Sequence, residues 1–293
     1  MPEKCYDIFI IGHVSLDEII NNGEVEKRFG GAVLYSAYAA VAGGYKTGIL
    51  TKTSPEIDDL SGLFNLLKDD IYHLPSKKTT SIRNKYLSSD LEKRACTAIS
   101  IADPFRIEDV PHVKSRLYLL AGLVAGDYES DMITFLSKKG KVAVDVQGFL
   151  RKNEGGTLIL KDWREKDIYL PYIDFLKADA TEAEIMTGHN DRRKAAKELH
   201  NLGAKEVLIT HNTEVIVYDG ERFFSEPLKP RKLLGRTGRG DTCFSAYITE
   251  RLYKKPHDAL LYAAALVSLK METPGPFRGT KTEVLDYIKK FYH

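Results

Sequence analysis

Short apolar runs alternate with segments of helical periodicity along most of the chain. Ile8–Ile11, Leu117–Leu120, Val142–Val144, Ile173–Leu176 and Glu206–Ile209 have the length and composition of strands buried on both faces. Between them, Ala32–Ala42 reads as a small-residue helix, and further helices are expected from about Glu129 to Ser137, at Glu182, over Arg192–Asn201 and over the Ala-rich Tyr262–Lys270. Such alternation predicts a mostly parallel sheet with helices on both faces. Two segments break the pattern. Leu16–Phe29 reads as a hairpin turning at Asn22-Gly23, and Ser81–Ile101 as a second one turning near Ser88-Ser89-Asp90. Inserted into an α/β domain, these pieces are expected to form a small β layer over one edge, placed to exclude water from a site.

The 293 residues suffice for one large α/β domain or two small ones, and no repeat, low-complexity tract or long linker divides them. With 43% hydrophobic and 29% charged residues and a net charge of +2, no block of like charge is long enough for a nucleic-acid arm, so no nucleic-acid partner is expected. No apolar run approaches the ~20 residues of a membrane span. Met1-Pro2-Glu3-Lys4 leads straight into a strand and does not read as a signal peptide. Cys5, Cys96 and Cys243 are far apart and odd in number, which suggests neither a disulfide framework nor a zinc site. A cytoplasmic location is expected.

Chemistry concentrates in Thr237-Gly238-Arg239-Gly240-Asp241, after which Phe244, Tyr247 and Ile248 fall at helical spacing. Glycines let backbone N–H groups approach a ligand closely. A helix N-terminus adds unpaired donors and partial positive charge, which suits a phosphate or a phosphoryl group in transit. A carboxylate repels phosphate, so Asp241 needs another reason to be there, and accepting a hydroxyl proton during phosphoryl transfer supplies one. The alternative is a Gly-rich turn with Asp241 as an N-terminal helix residue. Asp17 lies just past the first strand, where it reads either as an acceptor for two hydroxyls of a polyol or as an exposed turn residue. Gly30-Gly31 opens the following helix and reads as a close-approach turn, a hinge, or both. In Asp145-Val146-Gln147-Gly148-Phe149-Leu150-Arg151, Gln147 suits a hydroxyl and Arg151 a phosphate, unless the segment is an ordinary exit from strand to loop. Asp179-Ala180-Thr181-Glu182 has the spacing of a capping box and also of two metal-supporting carboxylates. A dinucleotide site is disfavoured because Ile11-Gly12-His13-Val14 offers one glycine, and no Gly-Lys-Ser/Thr loop occurs.

Gly-x-Gly-Asp opening a late helix, together with the glycine pair Gly30-Gly31 near the N-terminus, resembles the PfkB (ribokinase-like) carbohydrate kinase family. The Gln147–Arg151 segment resembles its inositol-kinase-like members. The resemblance implies an α/β ribokinase-like fold: one kinase domain over residues 1–293, a mostly parallel central sheet flanked by helices, and a small β lid from segments near 14–30 and 81–102. It implies an ATP-dependent kinase with Mg²⁺, acting on a sugar, polyol or cyclitol, with myo-inositol a candidate. Asp241 is then the base and Gly238, Arg239 and Gly240 form the anion hole. Asp17, Gly30, Gly31, Gln147 and Arg151 bind substrate. Thr210, Asn212, Gly238, Gly240 and Gly275 lie at the nucleotide, and Asp179 and Glu182 support the metal. The chain departs from the family at Tyr35 (usually Asn), at Asn212 (usually Gly) and at Gly235-Arg236-Thr237 (usually Asp-Thr-x). A nucleoside acceptor stays open, with Phe29, Tyr86 or Phe105 to stack on its base. So does a non-catalytic sugar or nucleotide sensor. Monomer and homodimer are both compatible with the sequence.

Overall fold

The computed structural model describes residues 3–21, 24–57, 59–86 and 94–292. In chain order the N-terminal part comprises β1 (Lys4–Ile11), β2 (Ser15–Asn21), β3 (Glu24–Gly30), α1 (Ala32–Ala42), β4 (Thr47–Thr53), β5 (Ile71–Pro75), β6 (Ser81–Tyr86), β7 (Arg94–Ser100) and β8 (Val113–Leu120). The middle follows with α2 (Met132–Ser137), β9 (Lys141–Asp145), α3 (Gln147–Leu150), β10 (Arg151–Glu154), β11 (Thr157–Leu160), α4 (Lys166–Tyr169), β12 (Phe175–Asp179), α5 (Ala180–Thr187) and α6 (Arg192–Asn201). The last part is β13 (Glu206–Thr210), β14 (Glu214–Tyr218), β15 (Phe223–Pro227), α7 (Arg239–Glu250), α8 (Pro256–Met271) and α9 (Lys281–Phe291).

Among the described residues these strands form two sheets. The larger has nine strands in the order β15-β14-β13-β12-β9-β8-β1-β4-β5, parallel from β13 to β5, with β14 and β15 antiparallel at one edge. Its apolar runs explain its burial. Successive side chains alternate between faces, so Ile8 and Ile10 enter the core under α1, α7 and α8, while Phe9 and Ile11 enter the core under α2, α5 and α6. Neither face of such a strand meets water, and a continuous apolar run replaces the alternating pattern. The smaller sheet has six strands in the order β10-β11-β7-β6-β2-β3 and is antiparallel except between β2 and β6. Both predicted hairpins are in it, as β2–β3 and β6–β7. Their expected turns, Asn22-Gly23 and Ser88-Ser89-Asp90, lie outside the described residues.

Several expectations shift. The strand expected at Ile173–Leu176 runs from Phe175 to Asp179, because Ile173 N–H closes a turn onto Leu170 O at 3.0 Å. The helix expected from about Glu129 starts at Met132, since the Glu129 side chain accepts from Ile107 N–H. The β10–β11 hairpin was not expected. Its signal was present in Gly155-Gly156, both at positive φ, with Gly156 N–H bonded to Asn153 Oδ1.

The ends of β8 and β9 approach closely on the way to this hairpin. A Cβ on Gly148 would stand 2.7 Å from Gly122 Cα, so the two chains cross where neither has a side chain. Gly148→Ala is expected to lose about 1–3 kcal/mol of stability through overpacking. It should also lower turnover, because Gln147 and Arg151 are carried on the same turn. A melting temperature within a degree of the parent would show that the crossing yields without strain.

Candidate functional site

One cavity of about 510 Å³ opens between the C-terminal ends of the large sheet's strands and the inner face of the small sheet. This is where an open α/β sheet leaves room for a ligand, because the loops that follow the strands diverge there. Asp17, Gly31, Gln147, Arg151, Asp179, Thr210, Asn212, Gly238, Arg239, Gly240 and Asp241 all line it. Gly30 stands just behind, its Cα so close that a Cβ would lie 3.1 Å from Asp17 Oδ2. Glu182 is buried behind Asp179. Gly275 is elsewhere: with Phe29, Leu34, Pro274 and Arg278 it lines a second cavity of about 520 Å³. Asp17 also comes from an unexpected direction. It belongs to β2 of the small sheet and not to a loop of the large one, and its Oδ1 accepts from Ile82 N–H of β6 at 3.1 Å.

The floor is the N-terminus of α7. Gly238 is its N-cap at φ 77°, a left-handed conformation that favours glycine. Space demands glycine as well, since a Cβ would lie 2.1 Å from the Tyr35 ring. Tyr35, which stands where the family usually has Asn, therefore packs flat on the turn. Asp241 falls in the first helical turn, beside the unpaired N–H groups. Its surroundings push its carboxyl up, through burial first, with Lys177 and Arg151 opposing.

Lys177 was not identified in the sequence, although a lysine inside the apolar run Phe175-Leu176-Lys177-Ala178 is a signal. Its side chain is buried, with Nζ 3.0 Å from Asp145 Oδ1 and 3.5 Å from Glu182 Oε2. Burial alone would lower its pKa, but the carboxylates of Asp145, Glu182 and Asp241 override burial and raise it. Burial pushes Asp145 up despite the ammonium, and pushes Glu182 up to about 7. The chain leaves β12 into α5 through the capping box expected from its spacing. Glu182 N–H donates to Asp179 Oδ1 at 2.8 Å and Asp179 N–H to Glu182 Oε2 at 2.7 Å. Among the described residues, no three His, Cys, Asp or Glu side chains converge as a metal cluster.

Gln147 and Arg151 hold each other, with Arg151 Nη2 donating to Gln147 Oε1 at 2.6 Å. Gln147 Nε2 lies 3.4 Å from Gly122 O, and both side chains face the cavity. At the opposite end Arg239, half-buried, reaches across the cavity to Asn212, with Nη2 donating to Oδ1 at 2.7 Å. Burial lowers its pKa and Arg236 lowers it further. Arg236 lines the same end, so two guanidinium groups concentrate at this mouth, with His211 beside them. His211 is held by Thr213 Oγ1 at 3.2 Å, and its pKa is lowered by burial and then by Arg192. The arrangement can bind a compact anion at the Gly238–Asp241 turn and set a hydroxyl acceptor between Asp17 and Asp241.

The pfkB family carbohydrate kinases match this chain over residues 130–282. A pyrophosphate-dependent kinase in the ribokinase family, solved with a pyrophosphate analogue and myo-inositol, is 36% identical over 95% of this chain and 99% of its own, with a TM-score of 0.86. A cytidine kinase of Thermococcus kodakarensis is 26% identical over 255 residues, 83% of this chain and 87% of its own length. A ribokinase of Arabidopsis thaliana with ribose and ATP shares the fold at a TM-score of 0.74, with 17% identity over 97% of this chain and 99% of its own. The fold is thus ribokinase-like, and no helix of the described residues is long and apolar enough to cross a membrane. Fold, cavity and sequence agree: the chain belongs to the PfkB family of carbohydrate kinases and is a kinase.

Proposed function

We propose that this kinase phosphorylates a hydroxyl of a small cyclitol or sugar, myo-inositol first, and that its donor is inorganic pyrophosphate in preference to ATP. The observation that carries the donor reading is the Arg239–Asn212 bond across the donor end of the cavity. The resemblance to ATP-dependent members leads to a glycine at 212, a residue small enough to leave a path for the nucleoside. Here two larger polar side chains join over that path. Arg236 and Arg239 offer guanidinium groups that suit bidentate recognition of a compact phosphate oxyanion. Gly275, which the resemblance puts at the nucleotide, lines the separate cavity with Pro274 and Pro276 instead. The 36%-identical pyrophosphate-dependent relative supports the same reading.

The acceptor reading rests on the lining. Asp17, Gln147 and Asp241 supply hydroxyl-directed groups, and Tyr35 is the aromatic that lines the cavity among the described residues. Phe105 is fully buried, stacked on His13 and Tyr128, and Phe29 lines the second cavity. The side chain of Tyr86 lies outside the described residues. A base would thus have little to stack on, whereas a polyol meets the hydrogen-bonding groups that reject analogues lacking hydroxyls.

In this reading residues 1–293 form one kinase domain, and the small sheet is a lid that keeps water from competing as acceptor. Asp241 takes the acceptor's proton as the new O–P bond forms, and the bond from phosphorus to the bridging oxygen breaks to release phosphate. N–H groups of Gly238, Gly240 and Asp241 stabilise charge on the transferred group, where a single such donor is worth about 2.7–4 kcal/mol, while the Arg239 N–H is bonded to Arg236 O at 3.2 Å. Asp17 orients the acceptor. Asp179 lines the cavity with Glu182 buried behind it, a pair that suits support through water of Mg²⁺ carried in with the donor rather than a closed cluster of protein ligands. Asp179 and Glu182 would hold it, and it would neutralise polyphosphate charge.

The direct test is a matrix of pyrophosphate and ATP against myo-inositol, ribose, other sugars, adenosine, inosine and cytidine. Pyrophosphate with myo-inositol is expected to give the highest kcat/KM. A tenfold advantage for ATP ends the donor reading, and a tenfold advantage for any nucleoside ends the acceptor reading. Arg239→Ala should raise the pyrophosphate KM at least ~10-fold, a charge-assisted pair being worth about 1.5–3 kcal/mol.

Asp241→Asn should keep donor affinity and lose ~10²–10⁴ in turnover, the usual worth of a general base. Because its surroundings raise the Asp241 pKa, the parent should gain activity as pH rises through a limb above the ordinary aspartate range, where the base becomes charged. Turnover of the variant within a few-fold of the parent would remove Asp241 from the chemistry.

Glu182→Gln separates metal support from capping. A shift of the Mg²⁺ dependence to higher concentration is the expected result. A lower melting temperature with unchanged Mg²⁺ response would leave Glu182 as a cap alone.

A further inference from the structure

The last turn of α8 carries Lys270, whose side chain is wholly buried on a helix face otherwise free of charged residues. A buried ammonium is costly unless its donors are satisfied. Among the described residues Lys270 forms no ion pair. Its Nζ donates to Gly235 O at 2.7 Å and to Thr237 O, and lies 5.2 Å from the centre of the Tyr35 ring. The end of α8 grips the same segment a second time, since Leu234 N–H and Gly235 N–H both donate to Met271 O at 2.9 Å. Packing there is tight enough that a Cβ on Gly235 would meet Thr273 O.

These contacts have a consequence for the site. A trans peptide points its N–H opposite to its C=O. With the carbonyls of residues 235 and 237 turned toward Lys270, the N–H groups of Arg236 and Gly238 are turned away from α8, to the side on which residues 236–241 line the cavity. The Tyr35 ring meets both the ammonium and Gly238, so lysine, ring and turn pack together.

We propose that Lys270 is a positioning residue for phosphoryl transfer, its buried ammonium fixing the peptide planes 235–236 and 237–238 so that the turn's N–H donors stay aimed at the anion. Lys270 does not touch the reacting atoms. The groups facing it are Tyr35 from α1 and Asp241 and Arg239 from α7, while Glu272 beyond the helix end is engaged by Arg231 and Tyr287. Burial lowers the Lys270 pKa to about 8, Asp241 pulls it up and Arg239 pushes it down. The clamp is therefore charged below that pH and released above it in the free enzyme. Lys177 stays charged throughout that range, because its carboxylates raise its pKa.

The proposal rests on the anion-cradle reading of the Gly238–Asp241 turn. It is tested by comparing Lys270→Met, which has no donor, and Lys270→Gln, which has a neutral donor, with the parent. The donor is pyrophosphate or ATP, whichever the matrix favours, and the same acceptor is used throughout so that the donor's own ionisation cancels. Lys270→Met is expected to lose at least tenfold in kcat with the acceptor KM within threefold, and Lys270→Gln to recover part of it. The parent's fall in kcat/KM on the alkaline side, near pH 8, should be absent from both variants. Folded Lys270→Met with parental kcat and an unchanged pH profile overturns the proposal, and so does a lower melting temperature as its sole effect. If neither variant folds, the parent alone decides: its alkaline limb must move with temperature as an amine's ionisation does, and a flat profile to pH 9.5 overturns the proposal. Should no pair in the matrix react, calorimetry with pyrophosphate alone reads the clamp. Binding weakened tenfold or more by Lys270→Met upholds it, and equal binding overturns it. Failure of the donor or acceptor reading is thereby separated from failure of the clamp.

Discussion

The site is organised around the ammonium of Lys177, which lies 3.0 Å from Asp145 and 3.5 Å from Glu182 in the middle of the parallel sheet. Three elements meet there. Asp145 ends β9, Lys177 belongs to β12, and Glu182 is in the first turn of α5. Unpairing a buried charge of this kind costs about 3–5 kcal/mol, so the relative placement of these elements is set at high stakes. The helix that carries Asp241 leans on the same lysine, since a Cβ on Gly240 would stand 3.3 Å from Lys177 Cε. The carboxylate proposed as the base is thus held beside a permanent positive charge, which limits how far burial can raise its pKa.

How much of this was legible follows from which constraints are local. Regular elements were readable because the apolar runs and the helical stripe of residues 192–201 are each set within a few residues, and α1 and α6 fall on their expected bounds. The capping box at Asp179–Glu182 is likewise a four-residue matter, as is the Gly-x-Gly-Asp turn. Lys177 escaped because its partners Asp145 and Glu182 come from separate elements, so its meaning appears once β9 and β12 are paired. Lys270 escaped for a stronger version of the same reason. Nothing near it in sequence explains a lysine in an Ala-rich helix, and its two carbonyl partners lie 33 and 35 residues away. Asp17 was recognised, but its route to the cavity depends on the parallel pairing of β2 with β6, which no hairpin signal contains.

That pairing also explains why the proposed acceptor and donor ends differ in character. The acceptor end is closed by the small sheet, whose Asp17 is fixed by the backbone of β6, while the donor end is built from loops after β13 and before α7. A hydroxyl acceptor needs directional bonds held by ladder backbone. A phosphate donor needs concentrated positive charge, which flexible arginines supply over a range of geometries.

Tyr35 is where the two ends are joined. It starts from the helix that follows Gly30-Gly31, packs on the α-carbon face of Gly238, and receives the Lys270 ammonium on its ring. The ring fills the space under the turn, and in the proposed function Asp17 and Gln147 read the acceptor. A rigid turn is worth most where the donor is small, because pyrophosphate has no nucleoside by which remote contacts could orient it. Orientation must then come from the cradle itself, and the packing of Lys270, Tyr35 and Gly238 makes that cradle stiff.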